Sequence, residues 1–240
     1  MLRVYGELAK WWPLFSPLEE YAEEAEFFED VLTKAQLPTS PTFLELGCGG
    51  GSIAFYLKKM FTQVTLTDLS AQMLDVSRAL NPECEHLEGD MRTMRLERKF
   101  DVVFVHDAID YMTSLEELRQ AMETAFVHCK AGGVALFVPD VVKEGFKPST
   151  EHGGKDGDGS ALRYMEWTYD PDERDTTYTV EYAFLLREGD EPTYKEYEQH
   201  ICGLFALEDW IRTLGAVGFE TSIVRDQYER DVFVGRKWKV

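Results

Sequence analysis

The chain has 240 residues, with 44 Asp and Glu against 25 Lys and Arg and a formal net charge of −19 at pH 7. That length suits one large α/β domain carrying an insertion. The charge argues against nucleic acid as a partner, because phosphate backbones are met by clustered Lys and Arg, and it favours a neutral or cationic small molecule.

The N-terminal stretch is aromatic: Tyr5, Trp11, Trp12 and Phe15 stand close together. Ser16-Pro17-Leu18-Glu19 has the form of a capping box with proline at the first helical position, which predicts a helix running to about Lys34. Glu19 and Glu20 in its first turn suit the positive end of the helix dipole. Pro38 and Pro41 then release a short buried strand, Phe43 to Leu46.

That strand ends in Gly47-Cys48-Gly49-Gly50-Gly51 and runs into an apolar-periodic helix beginning near Ser52. Glycines there let bare main chain turn tightly against a ligand, and the first amides of the helix point the same way, so the bend reads as a cofactor cradle. A dinucleotide fingerprint, G-x-G-x-x-G, would need its third glycine at position 52, which is Ser52. Two residues before Gly47 stands Glu45, whose carboxylate would repel a pyrophosphate and suits a ligand with an ammonium group and a sulfonium charge. S-adenosylmethionine is such a ligand.

A second strand, Val64 to Thr67, closes on Asp68, placed to accept from ribose hydroxyls, a feature shared with NAD enzymes. Ser70 is the expected N-cap of a helix from Ala71 to about Leu80 that presents Met73 one turn in. Met73 is read either as a contact to ribose or adenine or as core. Leu87-Glu88-Gly89-Asp90-Met91 would put Asp90 beside the adenine amino group and Met91 against the ring.

Phe100 to His106 is almost continuously apolar, as in a parallel strand buried on both faces. Ligands of open α/β sheets bind beyond the carboxyl ends of the strands, where His106, Asp107, Asp110 and Tyr111 emerge. Ser114-Leu115-Glu116-Glu117 is another capping box, opening a helix to about His128; Ala131-Gly132-Gly133 turns into a strand, Val134 to Val138. Residues 144–160 read as a mobile loop. Three alternating segments follow, Leu162 to Tyr169, Thr176 to Leu186 and Thr193 to Phe205, expected to form an antiparallel sheet that roofs the substrate pocket or makes a dimer surface. Glu198 and His200 share strand parity, so both can face the pocket or pair at the surface. A last helix, Leu207 to Ala216, and two strands, Phe219 to Val224 and Asp231 to Val234, close the chain.

Residues 43–51, Asp68-Leu69-Ser70-Ala71-Gln72-Met73-Leu74, Gly89-Asp90-Met91 and Ala131-Gly132-Gly133 together resemble the ordered motifs of class I S-adenosylmethionine-dependent methyltransferases, over roughly residues 40–140. The flanking parts are more loosely similar to small-molecule N-methyltransferases, including those acting on amino sugars. The resemblance implies a Rossmann-like, doubly wound α/β fold: a mostly parallel seven-stranded sheet, an antiparallel β insertion and an N-terminal helical lid. Residues 1–37 would be the lid, 38–143 and 201–240 the cofactor-binding domain, and 144–200 an inserted subdomain for substrate or dimerisation. It also implies that Tyr21 matches a tyrosine reaching the methionine end of the cofactor, while Trp11 and Phe15 are expected to cover an apolar face and Trp12 is open to either role.

The expected activity is methyl transfer from S-adenosylmethionine to a small-molecule acceptor, most readily an amine nitrogen. An O-methyltransferase, an NAD-linked oxidoreductase and a module that senses the cofactor without transferring its methyl are the alternatives. Tyr21, Glu45, Gly47, Cys48, Gly49, Asp68, Leu69, Met73, Gly89, Asp90, Met91 and His106 are the expected cofactor contacts. An amine must lose a proton before attack, and Asp107, Tyr111 and His200 are the candidate catalytic groups, along with His106, which has a competing role lining the methionine and methyl region. Asp107, Asp110 and Asp140 could converge on a metal, but His86, His128 and His152 show no ligand spacing, and no metal is expected. Cys48, Cys84, Cys129 and Cys202 form no C-x-x-C pair and read as reduced thiols. With no apparent signal peptide or transmembrane run, the expectation is a cytoplasmic protein with no membrane or nucleic-acid partner, and a homodimer is one option.

Overall fold

A strand in the middle of a parallel sheet is covered on both faces, and β4 (Phe100–His106) is buried at all seven positions. It lies between β1 (Thr42–Leu46) and β5 (Cys129–Val138) in the computed structural model, which describes residues 2–238. Outward from β1 come β2 (Gln63–Asp68) and β3 (Glu85–Glu88), all parallel to their neighbours. On the other side β11 (Asp231–Arg236) pairs antiparallel with β5 and carries β10 (Glu220–Arg225) at the edge. The seven-stranded order β3-β2-β1-β4-β5-β11-β10 reverses direction of winding between β1 and β4, the place where such sheets bind ligands.

Helices cover both faces. On one side α2 (Ala22–Lys34), α3 (Ser52–Leu57) and α4 (Ala71–Leu80) bury Phe28, Leu32, Ile53, Leu57 and Leu74 against Phe43, Leu66 and Phe104. On the other, α5 (Leu115–His128) and α6 (Leu207–Val217) pack Leu118, Met122, Trp210 and Leu214 against Leu44, Val103 and Phe137. Ser70 caps α4 by accepting from the Met73 amide at 3.1 Å. Ser114 caps α5 in the same way, at 3.2 Å from the Glu117 amide.

The first capping box does not form. Leu18–Tyr21 is a 3-10 turn, the α-helix starts only at Ala22, and no side chain caps either element. The Ser16 hydroxyl is bonded instead to the Tyr21 hydroxyl at 2.5 Å, so a tertiary partner has taken the group that the local pattern assigned to the helix end. The stretch before it folds as short 3-10 turns and a single helical turn, α1 (Trp12–Phe15).

The insertion is a four-stranded antiparallel sheet of β6 (Ser149–Gly153), β7 (Ser160–Tyr169), β8 (Thr177–Glu188) and β9 (Tyr194–Gly203). Strand β6 falls inside the stretch read as a loop. It is an edge strand, Ser-Thr-Glu-His-Gly, with no apolar alternation to betray it. Through the middle of β7, β8 and β9, from Leu162 to Trp167, Val180 to Leu186 and Glu196 to Cys202, even-numbered residues turn toward the parallel sheet and odd-numbered ones toward solvent, as the period of two requires. Val4, Leu8 and Trp11 of the N-terminal stretch pack on the inward face against Leu162, Phe184 and Leu186.

Candidate functional site

Between the carboxyl ends of β1, β2 and β4 and the inward face of the inserted sheet lies a cavity of about 860 Å³. All the expected site residues line it except Met73, which is fully buried beneath Gly49 and belongs to the core.

The glycine bend forms one end. Gly47 has φ of +77°, and a Cβ there would collide with the Ala108 methyl and come within 2.8 Å of the Met91 methyl, so both the backbone angle and the close approach of the facing loop require glycine. The amides of Gly47 and Cys48 both donate to the Thr67 carbonyl at 2.8 Å, and the Gly49 amide donates to Asp68 Oδ2 at 2.8 Å. The bend thus offers a surface stripped of side chains, with its own amides already tied to β2. Asp68 Oδ1 accepts from the Ser70 amide, and burial raises the carboxyl above its ordinary value while these amides pull it back.

Glu45 is 3% exposed, and its Oε2 has no hydrogen-bond partner. Burial pushes its carboxyl up to about 8, partly opposed by His106 and assisted by Asp68. An orphaned buried acceptor beside a cradle without side chains fits a ligand that brings a positive group to that point. Asp90 lines the same end, but both its oxygens accept from the Arg92 guanidinium, which holds its carboxyl below the usual range. A carboxylate has lone pairs to spare for a further donor.

His106 ends β4 with Nε2 2.9 Å from Glu24 and Nδ1 3.2 Å from Asp107, and its ring stacks on Phe104. Arg230, in the β10–β11 turn, pairs with Glu24 and Asp226 and comes within 3.7 Å of Asp107 and 3.8 Å of Asp140. Neither Glu24 nor Arg230 was legible as a site residue, since they meet across 206 positions of sequence. Burial, then the neighbouring Asp140, pushes the Asp107 carboxyl above the ordinary range against the pull of His106. Asp110 is buried and accepts from the Asp140 amide at 2.8 Å, which fixes the strand end. Asp107 and Asp140 thus meet an arginine and Asp110 a backbone amide, and among the described residues no group of His, Cys, Asp and Glu is arranged to hold a metal.

The far end is a hydrogen-bonded line. Glu198 Oε1 lies 2.8 Å from His200 Nε2, His200 Nδ1 lies 2.8 Å from the Tyr111 hydroxyl, and that hydroxyl lies 2.7 Å from the Tyr5 hydroxyl. Glu198 also accepts from the Arg3 and Val4 amides at 2.8 and 3.2 Å, so the carboxylate ties the first turn of the chain to β9. An ionised carboxylate only accepts; it therefore assigns the proton of a neutral His200 to Nε2, leaving Nδ1 to accept from Tyr111. Burial raises the Tyr111 phenol well above its ordinary value, so it stays protonated. Glu198 and His200 are 7% and 3% exposed, which rules out the surface pair. Tyr5, Tyr178 and Tyr182, not singled out from the sequence, line the cavity too. The latter two were reachable, because strand alternation puts them on the face that His200 shares across β8 and β9.

The Tyr21 hydroxyl bonds to Ser16, and its ring meets His106 edge-on at 6.5 Å. Trp12 covers Gly50 and Phe15 stacks edge-on with Tyr164, Tyr182 and Phe184, so both serve cavity and packing at once, whereas Trp11 is core.

A family model described as a methyltransferase domain matches residues 43–133. The dTDP-3-amino-3,4,6-trideoxy-alpha-D-glucopyranose N,N-dimethyltransferase of Streptomyces venezuelae is 33% identical over 122 residues, which span 50% of this chain and 51% of that protein. The chain thus matches about half the length of that relative. The dTDP-3-amino-3,6-dideoxy-alpha-D-glucopyranose N,N-dimethyltransferase of Streptomyces fradiae is 26% identical over 223 residues, 91% of this chain and 86% of that one. Among solved structures, Streptomyces venezuelae DesVI superimposes with a TM-score of 0.84 at 24% identity, covering 96% of this chain and 98% of the other, a likeness of fold.

Proposed function

We propose that this chain, a member of the class I S-adenosylmethionine-dependent methyltransferases, places the cofactor's methyl group on an amine nitrogen of a small molecule. The observation that carries the reading is the cavity itself, with an orphaned carboxylate and a bare glycine bend at one end and a buried histidine line at the other. The names of the sugar-amine relatives support the choice of nitrogen over oxygen.

When bound, S-adenosylmethionine supplies a methyl group already activated by the sulfonium charge, so the protein's task is chiefly to hold the nucleophile in line with it. Asp68 would take the ribose hydroxyls, Glu45 would face the cationic methionine end, and Asp90, Met91 and Leu69 would flank the base. Tyr21 and Trp12 close the N-terminal segment over that end and exclude water. Tyr111 and His200 would accept the proton that an ammonium sheds: a proton reaching the Tyr111 oxygen passes its own to His200 Nδ1, and Glu198 stabilises the imidazolium. Asp107, held above the carboxylate range, is the second acceptor. The test is S-adenosylhomocysteine release from a panel of primary and secondary amines against matched alcohols. Turnover confined to alcohols would overturn the choice of nitrogen.

For partners, a second copy of this chain is the occupant proposed for the outward face of the inserted sheet. Met165, Trp167, Leu185, Tyr197 and Ile201 are 44–60% exposed there, and ten-residue strands give a face of roughly 500 Å² or more, within reach of what each partner of a stable pair covers. Arg163 and Lys195 stand on the same face with Glu181, so two copies offer each other opposite charges. Light scattering should report a dimer that Trp167→Glu converts to monomer; a monomeric parent chain would end the proposal. Four free cysteines favour a reducing compartment, the cytoplasm, and no helix of the described residues is long and apolar enough to cross a membrane.

A further inference from the structure

Two buried histidines reach the cavity, and they are bonded alike. His200 stands between Glu198 and Tyr111, while His106 stands between Glu24, 2.9 Å from its Nε2, and Asp107, 3.2 Å from its Nδ1. Glu24 is 5% exposed and also pairs with Arg230, which holds Asp226 on its other side. A carboxylate so paired only accepts. It therefore assigns the proton of a neutral His106 to Nε2 and leaves the Nδ1 lone pair facing Asp107 Oδ2.

Asp107 is held where it can use that lone pair. Its φ is +32°, a left-handed angle that a residue with a Cβ rarely adopts and that surrounding structure must enforce. Its amide donates to the Val138 carbonyl at 2.9 Å, which pins the bend to the end of β5. The Asp107 side chain is 43% exposed and lines the cavity, whereas Glu24 is not among the lining residues and acts from behind the histidine. The other groups facing His106 are Tyr21, edge-on at 6.5 Å, Glu45 of β1 and Asp140 at the end of β5, with Arg230 beyond Glu24. His106 draws Glu45, Asp107 and Asp140 toward their ionised forms.

Building on the reading of the site as an amine methyltransferase with Asp107 as a proton acceptor, we propose that Glu24, acting through His106, is a positioning residue for that acceptor. Glu24, His106 and Asp107 then form a second proton line, on the parallel-sheet side of the cavity. The N–H bond of the substrate ammonium breaks with its electron pair left on nitrogen, and the proton joins Asp107 Oδ2. From there it passes to His106 Nδ1, whose ring, now positive, lies between two carboxylates.

The test follows the His106 ring proton by NMR as pH is varied, in the full chain and in Glu24→Gln, whose amide oxygen still accepts from Nε2 but carries no charge. The His106–Asp107 pair should take up its proton about one pH unit lower in the variant, while the His200 signal keeps its profile. Asp107→Asn, at a half-exposed position, should move the His106 signal the same way, so the line stays testable if Glu24→Gln does not fold. In turnover, the acid limb of the kcat/KM profile of Glu24→Gln should shift to lower pH with the NMR signal, a displacement that a purely structural residue would not cause. An unmoved His106 profile in both variants, or kcat reduced by one factor at every pH with the limb in place, would overturn the inference. A shifted His106 profile in a chain that methylates no amine would uphold the line and strike at the methyltransferase reading instead.

Discussion

The glycine end of the cavity is built from near neighbours. Asp68 is held by the amides of Gly49 and Ser70, Gly47 and Cys48 hang on the Thr67 carbonyl, and every one of these groups sits where a parallel strand ends. The roof end is built from distant ones: Arg3 meets Glu198, Tyr5 meets Tyr111, and Tyr111 meets His200. The first end is fixed by the sheet and should be insensitive to what happens in the insertion. The second depends on the N-terminal turn and the inserted sheet staying docked together.

Asp68→Ala should do the greatest damage to the first end. Charge-assisted bonds to two ribose hydroxyls contribute about 1.5–3 kcal/mol each, so cofactor affinity should fall about 100-fold or more. Titration of S-adenosylmethionine by calorimetry reads this directly, and an undiminished affinity would contradict the placement of the nucleoside.

His200→Ala should lower kcat about 10²-fold, the scale of a lost acid–base group, while leaving cofactor affinity alone. Tyr111→Phe keeps the ring in its place and should reproduce most of that loss. Glu198→Gln should lower kcat as well, by less than His200→Ala, because the imidazolium formed on proton transfer loses its charged partner. If cofactor binding and kcat fell together in these variants, the two ends would not be independent and the comparison would fail.

The difference between the ends also explains what could be read in advance. The strands of the seven-stranded sheet, the glycine bend and Asp68 are local patterns of period and spacing, and Phe43 to Asp68 alone shows two of those strands, the bend and the acid. Ser70 and Ser114 cap as their sequences say. Met73 was half legible: the spacing gave its helix but not which way it faced, and it turns into the core. Strand β6 was missed because an edge strand of polar residues carries no alternation, and Glu24 with Arg230 because nothing local ties an α2 acid to a hairpin arginine. Glu198 and His200 were placed on a shared face by parity, but their partners Arg3, Val4 and Tyr5 come from the other end of the chain.

Glu45 offers a smaller effect that sharpens the description of the glycine end. Its folded value, about 8, lies above the roughly 4.3 of an unfolded glutamate. The folded state keeps a proton that the unfolded chain releases, so this residue costs nothing below the unfolded value and erodes stability as pH climbs toward about 8. Thermal unfolding from pH 5 to 8.5 should therefore show the parent losing Tm relative to Glu45→Gln. Saturation with S-adenosylmethionine should shrink that loss, since a cationic ligand favours the ionised carboxylate; a parent and variant with parallel profiles would show that Glu45 is not protonated in the fold.

The smallest expected effect separates two stretches of the same pattern. Ser114 accepts from the Glu117 amide, and Glu117 reaches Thr113 and Arg92, so Ser114→Ala removes a working cap and should cost about 1 kcal/mol in denaturant unfolding. Ser16, with Glu19 at the same spacing, caps nothing, because its hydroxyl has gone to Tyr21. Ser16→Ala should therefore cost clearly less than Ser114→Ala in stability and act instead on the N-terminal segment, raising the KM for S-adenosylmethionine a few-fold as the Tyr21 ring loses its tether. Equal losses of stability in the two variants, with KM unmoved, would mean that the Ser16–Tyr21 bond serves packing alone and that the N-terminal segment is not held over the cofactor end by it.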